Sequence, residues 1–527
     1  MRVFILLART EARSALVWPM LLGALTLFTA PAYASTYASA SARAAAVQHA
    51  GHDASTLLLY GVLPMPGTPA QMFVWEIGAY MVFLAGVAAL LAAVRLTRGA
   101  EDSGAVELVR ATGASAGTQL CAVVAWLFVV GSALGLTTAG ALWARRASLA
   151  GFDTAGAMAY GATVALTYAL VGVASVVLAQ VAPTATGARR AGTLALAVWL
   201  ALRAWGDLED HPAATWLSPL GLRGLVRPFT DDRLAPVAAW LVALGALVGL
   251  ALLLGARRDP GRGLIRARES LTRRLRVTTL TAFSTRLALT TTATWAGAVA
   301  LGAGLFTAMG SGVIAAAQRG DLEEGFLADQ LRSVDPAAAY LGYVARVVGV
   351  VVAVFVVLGV QAAAADERAG TVEHVRATGC SPSAPLRGRG VVAAGGALVV
   401  LAVSGCAAAV VARVGLEVNG AVSIAMRTVV CQWPASVALG GAAMLLVGCS
   451  VRCAPLAWLP LGLSALATML GGLLRIPEPV ARLSVFGHAP DGWQLSELAP
   501  SAVLLAVGLG LGTLGLAAVS RRDASTG

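Results

Sequence analysis

Twelve apolar runs long enough to cross a lipid bilayer, separated by polar segments, constrain the fold of this 527-residue chain more than any motif does. A hydrocarbon core of about 30 Å takes about 20 helical residues, and inside it the backbone must satisfy its own hydrogen bonds. The runs lie near 15–35, 73–95, 118–142, 156–181, 191–206 and 235–256, and again near 294–316, 338–362, 390–413, 428–450, 454–474 and 500–519. With 58% hydrophobic residues, 12% charged residues and a mean hydropathy of +0.78, too little polar material is left to coat a soluble protein of this length. The expected fold is an all-α polytopic membrane protein of about twelve helices.

Charge placement gives the orientation. The net charge of +11 rests on arginine, since the chain has no lysine. Its densest cluster is Arg257, Arg258, Arg262, Arg266, Arg268, Arg273, Arg274 and Arg276 against Asp259 and Glu269, a net +6 within twenty residues. By the positive-inside rule this linker, residues 257–277, is cytoplasmic, and an even number of spans puts both termini on the same side. The acidic loop 317–337, with Asp321, Glu323, Glu324, Asp329 and Asp335 against Arg319 and Arg332, fits the outside. Arg145 and Arg146 are the exception, basic at a position assigned outside. Because the arginines cluster between apolar runs and not on a soluble face, nucleic acid is not the expected partner. Anionic lipid headgroups are.

The N-terminus, with Arg2, Arg9 and Arg13 ahead of an apolar run ending in Ala32-Tyr33-Ala34, has the outline of a cleavable signal peptide. Retention as a first helix preserves the symmetry of two halves and is the reading adopted. Residues 2–13 and 278–290 are then expected to be matching amphipathic helices on the inner surface before spans 1 and 7.

That symmetry is written in the sequence. Glu101–Gly113 reads EDSGAVELVRATG and Glu367–Gly379 reads ERAGTVEHVRATG, identical at nine of thirteen positions and 266 residues apart. Weaker echoes follow at similar offsets: Leu202-Arg203 with Leu474-Arg475, Ser218–Gly221 with Ala489–Gly492, and Leu234-Ala235-Pro236 with Leu498-Ala499-Pro500. Arg257-Arg258-Asp259 recurs as Arg521-Arg522-Asp523. The domain reading is a first six-helix half at 1–256, a basic linker at 257–277 and a second six-helix half at 278–527, the halves being parallel repeats.

The duplicated segment follows spans 2 and 8 and carries Glu101, Gly104, Glu107 and Arg110, then Glu367, Gly370, Glu373 and Arg376. The glycines at 104 and 370 allow a sharp turn into a short helix starting near Val106 or Val372. Glu107/Arg110 and Glu373/Arg376, three apart, share one face of it, and Gly113 and Gly379 offer stops. Read blandly, this is a solvated turn with an internal ion pair worth tenths of a kcal/mol. Its duplication favours a docking element instead. Leu108 opposite His374 and Ala114 opposite Cys380 leave the two copies chemically unequal.

The pattern Glu-x-x-Gly-x-Val-Glu-x-Val-Arg-Ala-Thr-Gly resembles the coupling-helix segment of ABC-2-type exporter permeases, most closely in Arg368-Ala369-Gly370-Thr371-Val372-Glu373. Asp102 and Ala105 depart from that pattern in the first copy. The duplicated twelve-span form with Arg-Arg-Asp ends resembles tetronasin and polyketide-antibiotic exporter permeases of actinobacteria, with the fold of type V exporters. The resemblance implies a bacterial plasma-membrane permease for hydrophobic or amphipathic drugs, driven by a separate cytoplasmic ABC ATPase, two copies per chain. ATP and Mg²⁺ would sit on that partner. The chain itself has no Gly-x-x-x-x-Gly-Lys-Ser/Thr loop and no lysine to complete one, so no cofactor and no catalytic residue are assigned to it. Lipid or glycan export and an ion-coupled secondary transporter are the alternatives.

Charged residues within the apolar runs are sparse: Glu76, Arg346, Arg203 and Arg475. They mark either a substrate path, with Tyr80 and Tyr343 beside it, or side chains snorkelling to the outer headgroups. Repeat alignment sets Glu76 against Gly342 and Arg346 against Tyr80, so a carboxylate and a guanidinium facing each other across a pseudo-twofold axis is one expectation. The six cysteines and His49, His52, His211 and His488 form no metal-ligand spacing, and buried thiols are the default reading.

Overall fold

The computed structural model describes residues 2–36, 39–52, 54–258, 263–265, 277–311, 314, 335–416, 420–470, 477, 483–488 and 495–522. Every secondary-structure element among them is helical, and eleven helices are long and apolar enough to cross a membrane. This is a polytopic membrane protein. The chain divides into two compact units, Met1–Thr272 and Arg273–Gly527.

The first unit is built on α1 (Arg2–Thr36), α2 (Ile77–Val94), α3 (Ala116–Arg145), α4 (Thr154–Val181), α5 (Ala185–Leu208) and α6 (Ala235–Arg257). Polar residues just outside the apolar runs start these helices. The side chains of Ser115, Asp153 and Thr184 each accept the backbone N–H three residues on, opening α3, α4 and α5; such a cap contributes about 1 kcal/mol. Beyond Val94, α2 continues through one π turn, Arg95–Gly99, into Ala100–Asp102. Its near end is preceded by the helix Pro69–Trp75, opened by a Thr68/Gln71 capping box.

Nine of the expected twelve runs coincide closely with candidate spans, and the first and seventh begin earlier than their apolar stretches, at Arg2 and Leu280. The fifth, within α5, is not among the eleven, because Arg189, Arg190, Arg203 and Asp207 lower its hydropathy. It nevertheless runs the full depth of the unit. At one end the Ala185 N–H donates to Asp102 at the close of α2 (2.8 Å). At the other, Arg203 reaches the carbonyls of Leu57, Leu58 and Leu59, beside the residues that precede α2. Its 24 residues make a rod of about 36 Å, enough for the hydrocarbon core.

Residues 2–13 are not a separate surface helix. They form one uninterrupted helix with span 1, because Phe4 packs edge-on against Trp126 of α3 (6.0 Å) and Glu11 pairs with Arg95 at the end of α2 (2.5 Å). Residues 280–290 likewise run straight on to Ala308, the helix being capped at Thr279 and not broken before the span.

The second unit comprises α7 (Leu280–Ala308), α8 (Pro336–Arg368), α9 (Ala384–Gly415), α10 (Trp433–Cys449), α11 (Trp458–Leu470) and α12 (Leu495–Arg521). Asp335 opens α8 by accepting two backbone N–H groups. The helix Ala421–Val430 leads into α10. Backbone meets backbone between α10 and α12: a Cβ added to Gly441 or Gly448 would overlap the carbonyl oxygen of Gly508 or Gly515. Such small-residue seams replace the hydrophobic drive that helices lack in lipid. In the first unit, Gly135 of α3 and Gly161 of α4 meet in the same way.

None of the six cysteines is fully buried, and Cys121, Cys380, Cys406 and Cys449 are exposed at the protein surface. The expectation of buried thiols fails because Cys121, Cys406 and Cys449 lie on outer faces of membrane helices, which meet lipid, and Cys380 lies in the exposed loop after the second elbow. Among the described residues no three His, Cys, Asp or Glu side chains gather as a metal site. Most of the basic linker, the charged loop 317–334, Leu474-Arg475, Ala489–Gly492 and Asp523 lie outside the described residues.

Candidate functional site

The two copies of the repeated segment take up the same local geometry. Gly104 (φ 75°) and Gly370 (φ 71°) are both left-handed, a region that costs a side-chain-bearing residue about 1 kcal/mol or more. Each glycine turns the chain out of a long helix into a short one, Ala105–Ala111 in the first unit and Thr371–Arg376 in the second. Gly113 and Gly379 close these elbows, also at positive φ, with N–H bonds to Arg110 (2.8 Å) and Arg376 (3.0 Å). Thr112 and Thr378 bond the carbonyls of Val109 and Val375 in the same way.

Burial sorts the residues of each elbow. Val106 (3% exposed) and Val372 (6%) are the anchors. Glu107 and Glu373 point outward, beside Leu108 in one elbow and His374 in the other. Leu108 is 76% exposed, an apolar knob that no periodicity argument singled out. The expected ion pairs Glu107/Arg110 and Glu373/Arg376 are absent among the described residues. Instead the Nε–H groups of both Arg110 and Arg376 are buried with no acceptor.

Glu101 and Glu367 face inward. Glu101 accepts from Arg98 (2.5 Å) and, through both oxygens, from Arg258 just beyond α6. Glu367 pairs with Arg522 just beyond α12. The two repeated signatures, Glu-x-x-Gly and Arg-Arg-Asp, therefore meet in each unit, across 157 residues in one and 155 in the other. The signal was present in the sequence as two repeats at similar spacing; what it lacked was any indication that they touch. A second clasp also recurs by different means. Arg98 donates to the Ala182 carbonyl beyond α4, and Arg368 to the Val451 carbonyl beyond α10 (3.0 Å). The first elbow is the more firmly held. Its Arg98 is wholly buried, Arg258 also reaches Gln180 (2.6 Å), and Asp102 holds the start of α5.

The residues singled out as a substrate path are scattered by comparison. Glu76 stands at the break before α2 and accepts from Tyr33 (2.9 Å), and Tyr80 pairs with the Tyr60 hydroxyl (2.8 Å). Arg203 does not snorkel. Its guanidinium is buried on the carbonyls of residues 57–59 and on Asp207 (3.1 Å). Beside it Arg223, which sequence reading passed over, binds the carbonyls of Val74, Trp75 and Tyr60, and a cavity of about 250 Å³ opens between them. Tyr343 and Arg346 are half-buried on α8, and Arg475 lies outside the described residues. Glu76 and Arg346 belong to different units.

Comparison with known proteins adds a relative. Residues 277–519 match the family model described as the C-terminal domain of the multidrug efflux system permease Rv1217c. Over 508 residues the chain is 29% identical to the multidrug efflux system permease protein Rv1217c of Mycobacterium tuberculosis. That alignment covers 93% of this chain and 88% of the relative, so the similarity takes in both units and both elbows.

Proposed function

We propose that the chain is the membrane-spanning permease of a bacterial ABC-type exporter that moves hydrophobic or amphipathic drugs out of the cell. The observation that carries this reading is the paired elbow: two identically turned short helices, each tied to its bundle by a valine and a glutamate, each offering an outward carboxylate. Similarity to a multidrug efflux permease supports the transport role. In this reading the elbows face the cytoplasm with both termini, the halves arose by duplication, and a separate ATPase dimer docks on the elbows. ATP and Mg²⁺ belong to that partner, because the 527 residues hold no lysine for a phosphate loop. Force from ATP-driven closure would pass through the anchored elbow to α2 and α6 in one half, and to α8 and α12 in the other.

Exposed Glu107 and Glu373 then meet basic groups on the ATPase, and Leu108 fills an apolar recess. Charge reversal at both glutamates (Glu107→Arg with Glu373→Arg) is expected to reduce co-purification of the ATPase encoded beside this chain about a hundredfold, two lost charge contacts at about 1.5 kcal/mol each. Fold is untouched, since both carboxylates are exposed. Wild-type co-purification by the double variant would overturn the docking reading and bring the secondary transporter forward.

A further inference from the structure

A cavity of about 800 Å³ forms a groove in the first unit between α1, the end of α2, α3, the elbow helix and the start of α5, with Tyr168 of α4 behind it. Its floor is apolar: Leu7, Trp18, Leu91, Val123, Trp126 and Val130. Its rim is not. Arg95 and Arg189 line it, with Glu11 as the carboxylate, and Glu11 is already engaged by Arg95 (2.5 Å) and by the Ser14 hydroxyl (2.9 Å). The Glu11 side chain is only 16% exposed whereas that of Arg95 is 53% exposed, so the rim presents positive charge.

The placement of Arg95 is built into the backbone. It opens the π turn Arg95–Gly99, and π turns are rare distortions that collect at functional sites. One helix end thereby sends two arginines to different tasks: Arg98 inward to Ala182 and Glu101, Arg95 into the groove. The second half lacks the pair. Aligned on Glu101 and Glu367, Gln361 stands in place of Arg95; aligned on Trp18 and Trp295, Ala288 stands in place of Glu11. Over the corresponding stretch α8 is regular α-helix. Val106 and Val109 of the elbow also line the groove, so an occupant there touches the segment proposed to meet the ATPase.

We infer that this groove is a binding site for an anionic amphiphile, taken from the adjoining leaflet with its acid group on Arg95 and Arg189 and its apolar body against Trp18 and Trp126. The inference rests on the permease reading for what the ligand is for, namely cargo, but not for whether it binds.

The test uses the full chain in phosphatidylcholine nanodiscs with a fatty acid carrying a diazirine in its acyl chain. Its methyl ester and the matching alkyl amine serve as uncharged and cationic controls, and photo-crosslinks are mapped by peptide mass spectrometry. The acid is expected to label residues 3–18 and 119–130 in preference to both controls. Arg95→Gln should lower labelling by the acid about tenfold, the worth of one charge-assisted contact, and leave the ester unchanged. Ala92→Trp, which fills the groove without touching a charge, should block the acid equally. Glu11→Gln frees Arg95 and should raise acid labelling, a gain that misfolding cannot imitate. Equal labelling by acid, ester and amine, insensitive to these variants, would make the groove an ordinary lipid-facing surface and overturn the proposal. Labelling needs no motor, so acid-selective labelling of a chain that recruits no ATPase would sink the permease reading and leave the site standing.

Discussion

Replacing Glu101 by alanine is expected to destabilise the first unit by about 3–5 kcal/mol, the cost of stripping the partner from a buried charge. Two guanidiniums lose their carboxylate partner at once, Arg98 wholly buried and Arg258 nearly so. The matching Glu367→Ala should cost only about 1 kcal/mol, because Glu367 and Arg522 keep partial contact with water. Apparent unfolding midpoints of the purified chain in detergent would compare the two, and hydrogen exchange at residues 100–113 would locate the loss. Charge swapping separates the latches further. Glu367→Arg with Arg522→Glu should restore most of the stability, since only two charges are involved. Glu101→Arg with Arg258→Glu should not, because the new arginine would lie against Arg98. Equal effects at Glu101 and Glu367 would show that burial does not govern these latches.

Gly508→Ala in α12 is expected to be destabilising by about 1–3 kcal/mol or more, although alanine is the better helix former by nearly 1 kcal/mol. The sign is set by what the new Cβ meets. At Gly508 it falls 2.7 Å from the Val437 carbonyl oxygen and 2.8 Å from the Ala438 Cα, atoms of a helix backbone that cannot turn aside. The two helices must part along the seam that Gly515 and Gly448 continue. Gly510, two residues on, has nothing within 4 Å of the added carbon, so Gly510→Ala should be neutral or stabilising by up to about 1 kcal/mol. Both variants change the same helix by one methyl group, and a midpoint that moves the same way in each would sink the argument.

Much of this protein could be read before folding was considered. The apolar runs marked nine helices closely and two more in their later parts, because a span's length and hydropathy are properties of its own residues. The glycine elbows were equally legible: left-handed φ at Gly104 and Gly370 is a local demand of a tight turn, and the chain answers it with the residue that meets it without strain. Reading stopped where the deciding partner lay elsewhere in the chain. Periodicity alone put Glu107 with Arg110, yet these stay apart, while Glu101 takes Arg258 from 157 residues away. Residues 2–13 have the composition of a surface helix, and contacts such as those with Trp126 and Arg95 hold them in line with the rest of α1. The fifth run is too charged to be counted by hydropathy, yet Arg203 is neutralised in place by Asp207 and met by three carbonyls of the short helix Ala54–Tyr60, distant in sequence. The sequence by itself determined the membrane class, the repeat and the turns, since each depends on groups within a few residues. Tertiary structure decided which carboxylates latch and which face outward, because burial and pairing of a charge are set by whatever the packed helices bring within about 3 Å of it.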